Sequence, residues 1–203
     1  MSHLEKLSAE QTQKIIALPY RVGLWVSDSD RSGGDASAEA EMIALESIVT
    51  AFAEDYLKSE LVEEVMRLTL QHKKEWTNWG DGMENMPSEC KDIIDSMKSH
   101  IPSNDVLAFQ QNLVDIGISV AMAYREDDDE DEDIPSNAIT EAVDLVKEKI
   151  EGFIAKLKKQ PGPFDHKSLN ISDDEYQVLQ TMSEVLSVPL LERLSERGVL
   201  PAK

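Results

Sequence analysis

The stretch Asp28-Ser29-Asp30-Arg31-Ser32-Gly33-Gly34-Asp35-Ala36-Ser37-Ala38-Glu39 sets oxygen donors at alternate places. Side-chain oxygens of Asp28, Asp30 and Ser32 fall at places 1, 3 and 5 of the twelve, Gly33 at 6, the carbonyl of Gly34 at 7 and Glu39 at 12. That is the ligand pattern of a calcium loop, in which a glycine makes the sharp turn and the last carboxylate binds through both oxygens. A hard divalent cation takes six to eight oxygens at roughly 2.3 to 2.6 Å, so Ca²⁺ is the expected ligand and Mg²⁺ the other candidate. Glu41 lies two residues further on as a near neighbour. The eighth place, apolar where such loops pair through a short strand, is Asp35, so the spacing predicts a single divergent loop. The same residues also read as a solvated turn and a helix start, since Asp, Ser and Gly favour turns and Glu39 and Glu41 favour a helix N-terminus without any metal.

Glu126 to Asp133 is an unbroken run of eight acids. Eight like charges repel and are expected to stay extended in water. A weaker, second cation site would draw on Asp127, Asp129 and Asp131 together with Glu141, without the glycine that a calcium loop needs. The four histidines are scattered, and no Cys or second His stands at zinc-ligand spacing. There is no phosphate-cradling glycine loop and no nucleophile elbow, so no catalytic residue is expected. Trp76 and Trp79 beside Gly80-Asp81-Gly82 read either as a contact surface or, more economically, as aromatics anchoring a loop to the core, and Met83 and Met86 as gap fillers.

The elements that position these residues are helical. Ser8-Ala9-Glu10-Gln11 and Ser172-Asp173-Asp174-Glu175 both fit a capping box and should start helices. Apolar residues recur three or four apart from Ala40 through Phe52, again in Leu61, Val65 and Leu68, and again from Ile139 to Leu157. The run Ile116 to Ala123 predicts a buried core helix. Val22 to Val26 has no alternating partner joined by a hairpin turn, so it is not read as a strand. Breaks are expected at Trp79 to Pro87, at Ser99 to Ser103 and at Gln160-Pro161-Gly162-Pro163. The expected fold is an all-α, compact helical bundle over residues 1–160, with residues 161–203 a C-terminal helical appendage docked on it, its last helix opened by Pro189 and ended by Gly198. A weak internal repeat aligns Arg21-Val22-Gly23-Leu24-Trp25-Val26-Ser27-Asp28 with Asp115-Ile116-Gly117-Ile118-Ser119-Val120-Ala121-Met122. In each copy a glycine-bearing apolar helix runs into an acidic loop and then a second helix, carrying Glu41 and Leu45 in one and Glu141 and Leu145 in the other.

The 203 residues are 41% hydrophobic and 30% charged, enough to bury a core. Forty acids against twenty bases give a formal charge of -20, which argues against nucleic acid and anionic lipid as partners and favours cations and basic protein surfaces. The longest apolar stretch is too short for a membrane span, so no membrane insertion is expected. The single cysteine, Cys90, closes no intrachain disulfide and is expected to sit buried. With no signal-peptide pattern at the N-terminus, a cytoplasmic setting is the expectation.

At Arg21 to Asp30, followed by an acidic helix start, the chain resembles the TerB-like tellurite-resistance family, and Asp115 to Met122 resembles that family's second copy. The resemblance spans about residues 15–157. It implies a pseudo-twofold all-helical bundle whose acidic loops bind a divalent cation, calcium first, in a cytoplasmic stress-response setting. Asp28, Asp30 and Glu39 or Glu41 are the matching positions of the first copy. In the second, Tyr124 stands where the family's loop Asp would fall, and the eight-acid run replaces the usual Asp-Gly turn. Residues 164–203 have no counterpart in the family, and the resemblance implies no enzymatic reaction. Two functions therefore compete: a calcium-responsive helical module, and an acidic interaction module that binds a basic partner without metal.

Overall fold

A computed structural model of the chain describes residues 3–29, 45–50, 59–123, 166–169 and 171–196. All regular structure among them is helical, in a compact all-α arrangement. The elements are α1 (Ala9–Ser27), α2 (45–50), α3 (Glu60–Gln71), α4 (Met86–Lys98), α5 (Ser103–Ala123), α6 (Asp173–Leu186) and α7 (Leu190–Glu196). Short 3-10 turns at Lys73–Gly80 and Met83–Asn85 link α3 to α4. The amphipathic stretch 139–157, the Pro161-Gly162-Pro163 segment and Gly198 lie outside the described residues.

Both capping boxes form. Ser8 Oγ accepts from the Gln11 backbone N–H at 3.2 Å while Gln11 Oε1 accepts from the Ser8 N–H at 2.9 Å. Ser172 and Glu175 make the same reciprocal pair at 3.2 and 2.8 Å. Pro87 sits in the first turn of α4, where its missing N–H costs no helical bond. Pro189 comes one place earlier than expected. It stands just before α7, and its carbonyl accepts from the Arg193 N–H at 3.1 Å. Pro19 lies inside α1, which runs on through it. Beside it the Thr69 hydroxyl of α3 donates to the Ile16 carbonyl at 2.6 Å, a tertiary bond on the stretch that the proline disturbs.

α1 and α5 form the centre, with α3, α4 and α6 packed around them. Ile15, Ile16, Leu18 and Val22 of α1 and Phe109, Leu113, Ile116 and Val120 of α5 are fully buried. The apolar run Ile116 to Ala123 is thus the C-terminal part of a longer core helix. α6 lies against α4 and α5 and gives Leu179, Met182 and Leu186 to the same core. At the α6–α7 turn, Ser187 takes the left-handed conformation and the Ser183 hydroxyl staples the corner, donating to the Val188 carbonyl at 2.7 Å.

Candidate functional site

At the glycines of the two repeat copies, side chains of neighbouring helices come close. A Cβ on Gly23 would lie 3.4 Å from Val120 Cγ2 of α5, and it would overlap the Leu45 side chain of α2. On Gly117 it would meet Met182 of α6 at 2.9 Å. Gly23 is four residues from the end of α1, and Val120 is three from the end of α5. At about 1.5 Å of rise per residue and an interaxial distance of about 8–10 Å, the two C-termini lie within about 20 Å of each other. The chain leaves α1 into the calcium-like stretch and leaves α5, past Tyr124 and Arg125, into the eight-acid run. Both acidic segments therefore depart from neighbouring helix ends, and Leu45 brings the chain back to α1 beside the point where it left.

Asp28 caps the C-terminal end of α1, exposed, with its N–H on the Leu24 carbonyl at 2.8 Å. Ser29 Oγ donates to the Val26 carbonyl at 2.6 Å. A carboxylate here meets the negative end of the helix dipole, and the last turn of α1 holds no basic residue. Asp28 also raises the Tyr20 hydroxyl above its ordinary range, as the lesser cause after burial. The negative charge of Asp28 thus adds to the negative end of the helix. Asp30, Ser32, Gly34, Glu39 and Glu41 lie outside the described residues, as do Asp127, Asp129, Asp131 and Glu141. Among the described residues no three His, Cys, Asp or Glu side chains gather in a metal-holding group.

Two ion pairs, one half-buried and one buried, frame this central helix pair, at residues no local pattern singles out. Arg21 of α1 donates to the Trp79 carbonyl, to the Asp81 carbonyl at 2.9 Å and to Glu89 Oε2 of α4 at 2.7 Å. Its repeat equivalent on α5 is Asp115, which takes a two-pronged bond from Arg193 of α7, with Nε 3.1 Å from Oδ1 and Nη2 on Oδ2. The repeat thus keeps a buried charge at its first position but reverses its sign, and in each copy a partner 68 or 78 residues away neutralises it. Removing one partner of the buried Asp115–Arg193 pair is strongly destabilising, because a buried charge is then left alone. The two pairs fix how α4 and α7 sit on the central helices.

Cys90 is buried on α4, and burial, with Glu89 next, pushes its thiol up to about 12, so it is no nucleophile at neutral pH. The two tryptophans of the α3–α4 link part company. Trp76 is buried, stacked on Tyr20 with ring centres 4.6 Å apart, its Nε1 donating to the Thr69 carbonyl at 3.1 Å. Trp79 is only half-buried. No described helix is long and apolar enough to cross a membrane. No family model matches the chain, and no curated protein or solved structure matches it either.

Proposed function

We propose that the chain is a non-enzymatic helical module that binds a divalent cation, calcium first, through Asp28, Asp30, Ser32, the Gly34 carbonyl and Glu39, with Glu41 close by. The observation that carries this reading is the placement of Asp28. It is an exposed carboxylate on the negative end of α1, with no basic residue in that turn, at the end of the molecule from which the eight-acid run also leaves. A cation there offsets both the dipole and the mutual repulsion of the acids. The acid run with Glu141 supplies a second, weaker site. The resemblance to TerB-like proteins adds the setting, a cytoplasmic response to stress, and nothing in the chain's chemistry points to catalysis. A second reading, an acidic module that holds a basic partner without metal, is favoured by the formal charge of -20.

Thermal unfolding separates the two. A ligand that binds only the folded chain stabilises it by about 2.7 kcal/mol at a hundred times its Kd, which for a chain of this size raises Tm by roughly 5–10 °C. Calcium should raise Tm in the wild-type chain by this order, and Asp28→Ala and Glu39→Ala should each remove most of the rise. An equal rise in both variants would contradict the loop as the site, and the absence of a rise in the wild type would leave the metal-free reading.

A further inference from the structure

The half-exposure of Trp79 is not explained by anchoring, since Trp76 already does that work from the core. Arg21, Leu24, Trp25 and Asp28 recur at helical spacing along one face of α1. Arg21 bonds to the carbonyls of Trp79 and Asp81, and a Cβ on Gly80 would stand 3.5 Å from Leu24 Cδ2, so this face of α1 runs along the turn 79–82. Leu24, Trp25, Trp79 and, on the same link, Met83 are packed against the core yet only partly covered. Trp79 leans on Tyr20 with ring centres 6.3 Å apart and stays half-buried. Gly82 takes a left-handed φ of 74° that turns the chain sharply here and keeps Met83 beside the patch.

Exposed carboxylates stand on the same link, Asp81 and Glu84. The one guanidinium at this surface, Arg21, is buried and paired with Glu89. The patch is therefore aromatic and apolar at its centre and negative at its edge, on a chain of formal charge -20. Large aromatic anchors with a charged rim are the usual anatomy of a protein-binding surface. Among the described residues there is no strand edge to which an extended peptide could add, and a helix laid in a groove presents apolar residues on one side with basic ones flanking them.

We propose that the surface of Leu24, Trp25, Trp79 and Met83 is a docking site for a basic amphipathic helix of a partner protein, with the helix's apolar side seated on these side chains and its Lys or Arg residues facing Asp81 and Glu84. The site is independent of the cation reading, because none of these residues is among the proposed cation ligands.

The test uses the full chain in excess chelator, with a synthetic Leu/Lys peptide of amphipathic helical repeat as probe. A scrambled peptide of the same composition and charge is the control, and binding is read by calorimetry and by the tryptophan emission. The amphipathic peptide should bind at least tenfold more tightly than its scramble and shift the emission to shorter wavelength. Trp79→Ala should weaken it about tenfold or more. Asp81→Lys changes only an exposed side chain and keeps the test valid should Trp79→Ala fold poorly; it should weaken binding severalfold. Leu191→Ser, at an exposed leucine on α7, should leave binding unchanged. Equal binding of the scramble, or undiminished binding by Asp81→Lys together with a folded Trp79→Ala, would overturn the proposal and leave charge alone as the attraction.

Discussion

Gly23 is where a single hydrogen decides the packing of three helices. An added methyl overlaps the Leu45 side chain and presses on Val120, and overpacking of this kind costs about 1–3 kcal/mol. Alanine in a helix interior returns about 1 kcal/mol of propensity. Gly23→Ala should therefore lower stability in the wild-type chain yet raise it, by up to about 1 kcal/mol, in a Leu45→Ala background. Urea unfolding of the four-member cycle measures this, and additive effects would contradict the contact. Cys90 gives a second residue-scale prediction. With its thiol pushed up to about 12 by burial, it should resist a thiol reagent at pH 8 in the native chain and react at once when the chain is unfolded. Because the folded thiol sits above its ordinary value, its neutral form favours the fold below pH 9, and that contribution is lost as pH rises through 9 to about 12.

At the scale of elements, Ser187 holds a left-handed φ of 55° at the end of α6 without being glycine. It is exposed, so Ser187→Gly removes the steric cost and touches nothing else; it should stabilise the chain by up to about 1 kcal/mol in a urea melt. Elements whose signals are local were legible in the sequence. The Ser8–Gln11 and Ser172–Glu175 boxes begin α1 and α6 because both halves of each box lie within four residues. Leu61 and Val65 mark the buried face of α3 for the same reason. The full length of α5 was not legible, because the polar Gln110, Asn112 and Asp115 interrupt its apolar pattern. Burial of these groups is satisfied by distant partners, such as the Leu186 carbonyl that accepts from Gln110 Nε2 at 2.6 Å. Likewise Arg21–Glu89 and Asp115–Arg193 depend on helices meeting across the fold, which no spacing reveals. Of the candidate cation site, spacing gave the donor types, and the structure adds the position of Asp28 on the helix end.

Across the whole molecule, the close approach of Gly23 to Val120 turns a weak sequence repeat into a spatial relation: two central helices ending near one another, each followed by acids. A formal charge of -20 draws counterions diffusely, but at about 0.15 M salt that attraction is screened beyond about 8 Å, whereas a chelating loop is not. The distinction can be measured. Calorimetric titration of calcium into chelator-stripped protein at that salt, with Mg²⁺ as the comparison and Glu39→Ala alongside, tests the central claim most directly. The cation reading predicts saturable calcium binding in the wild type that Glu39→Ala abolishes or weakens at least tenfold. No saturable heat up to millimolar calcium, or an unchanged isotherm for Glu39→Ala, would contradict it.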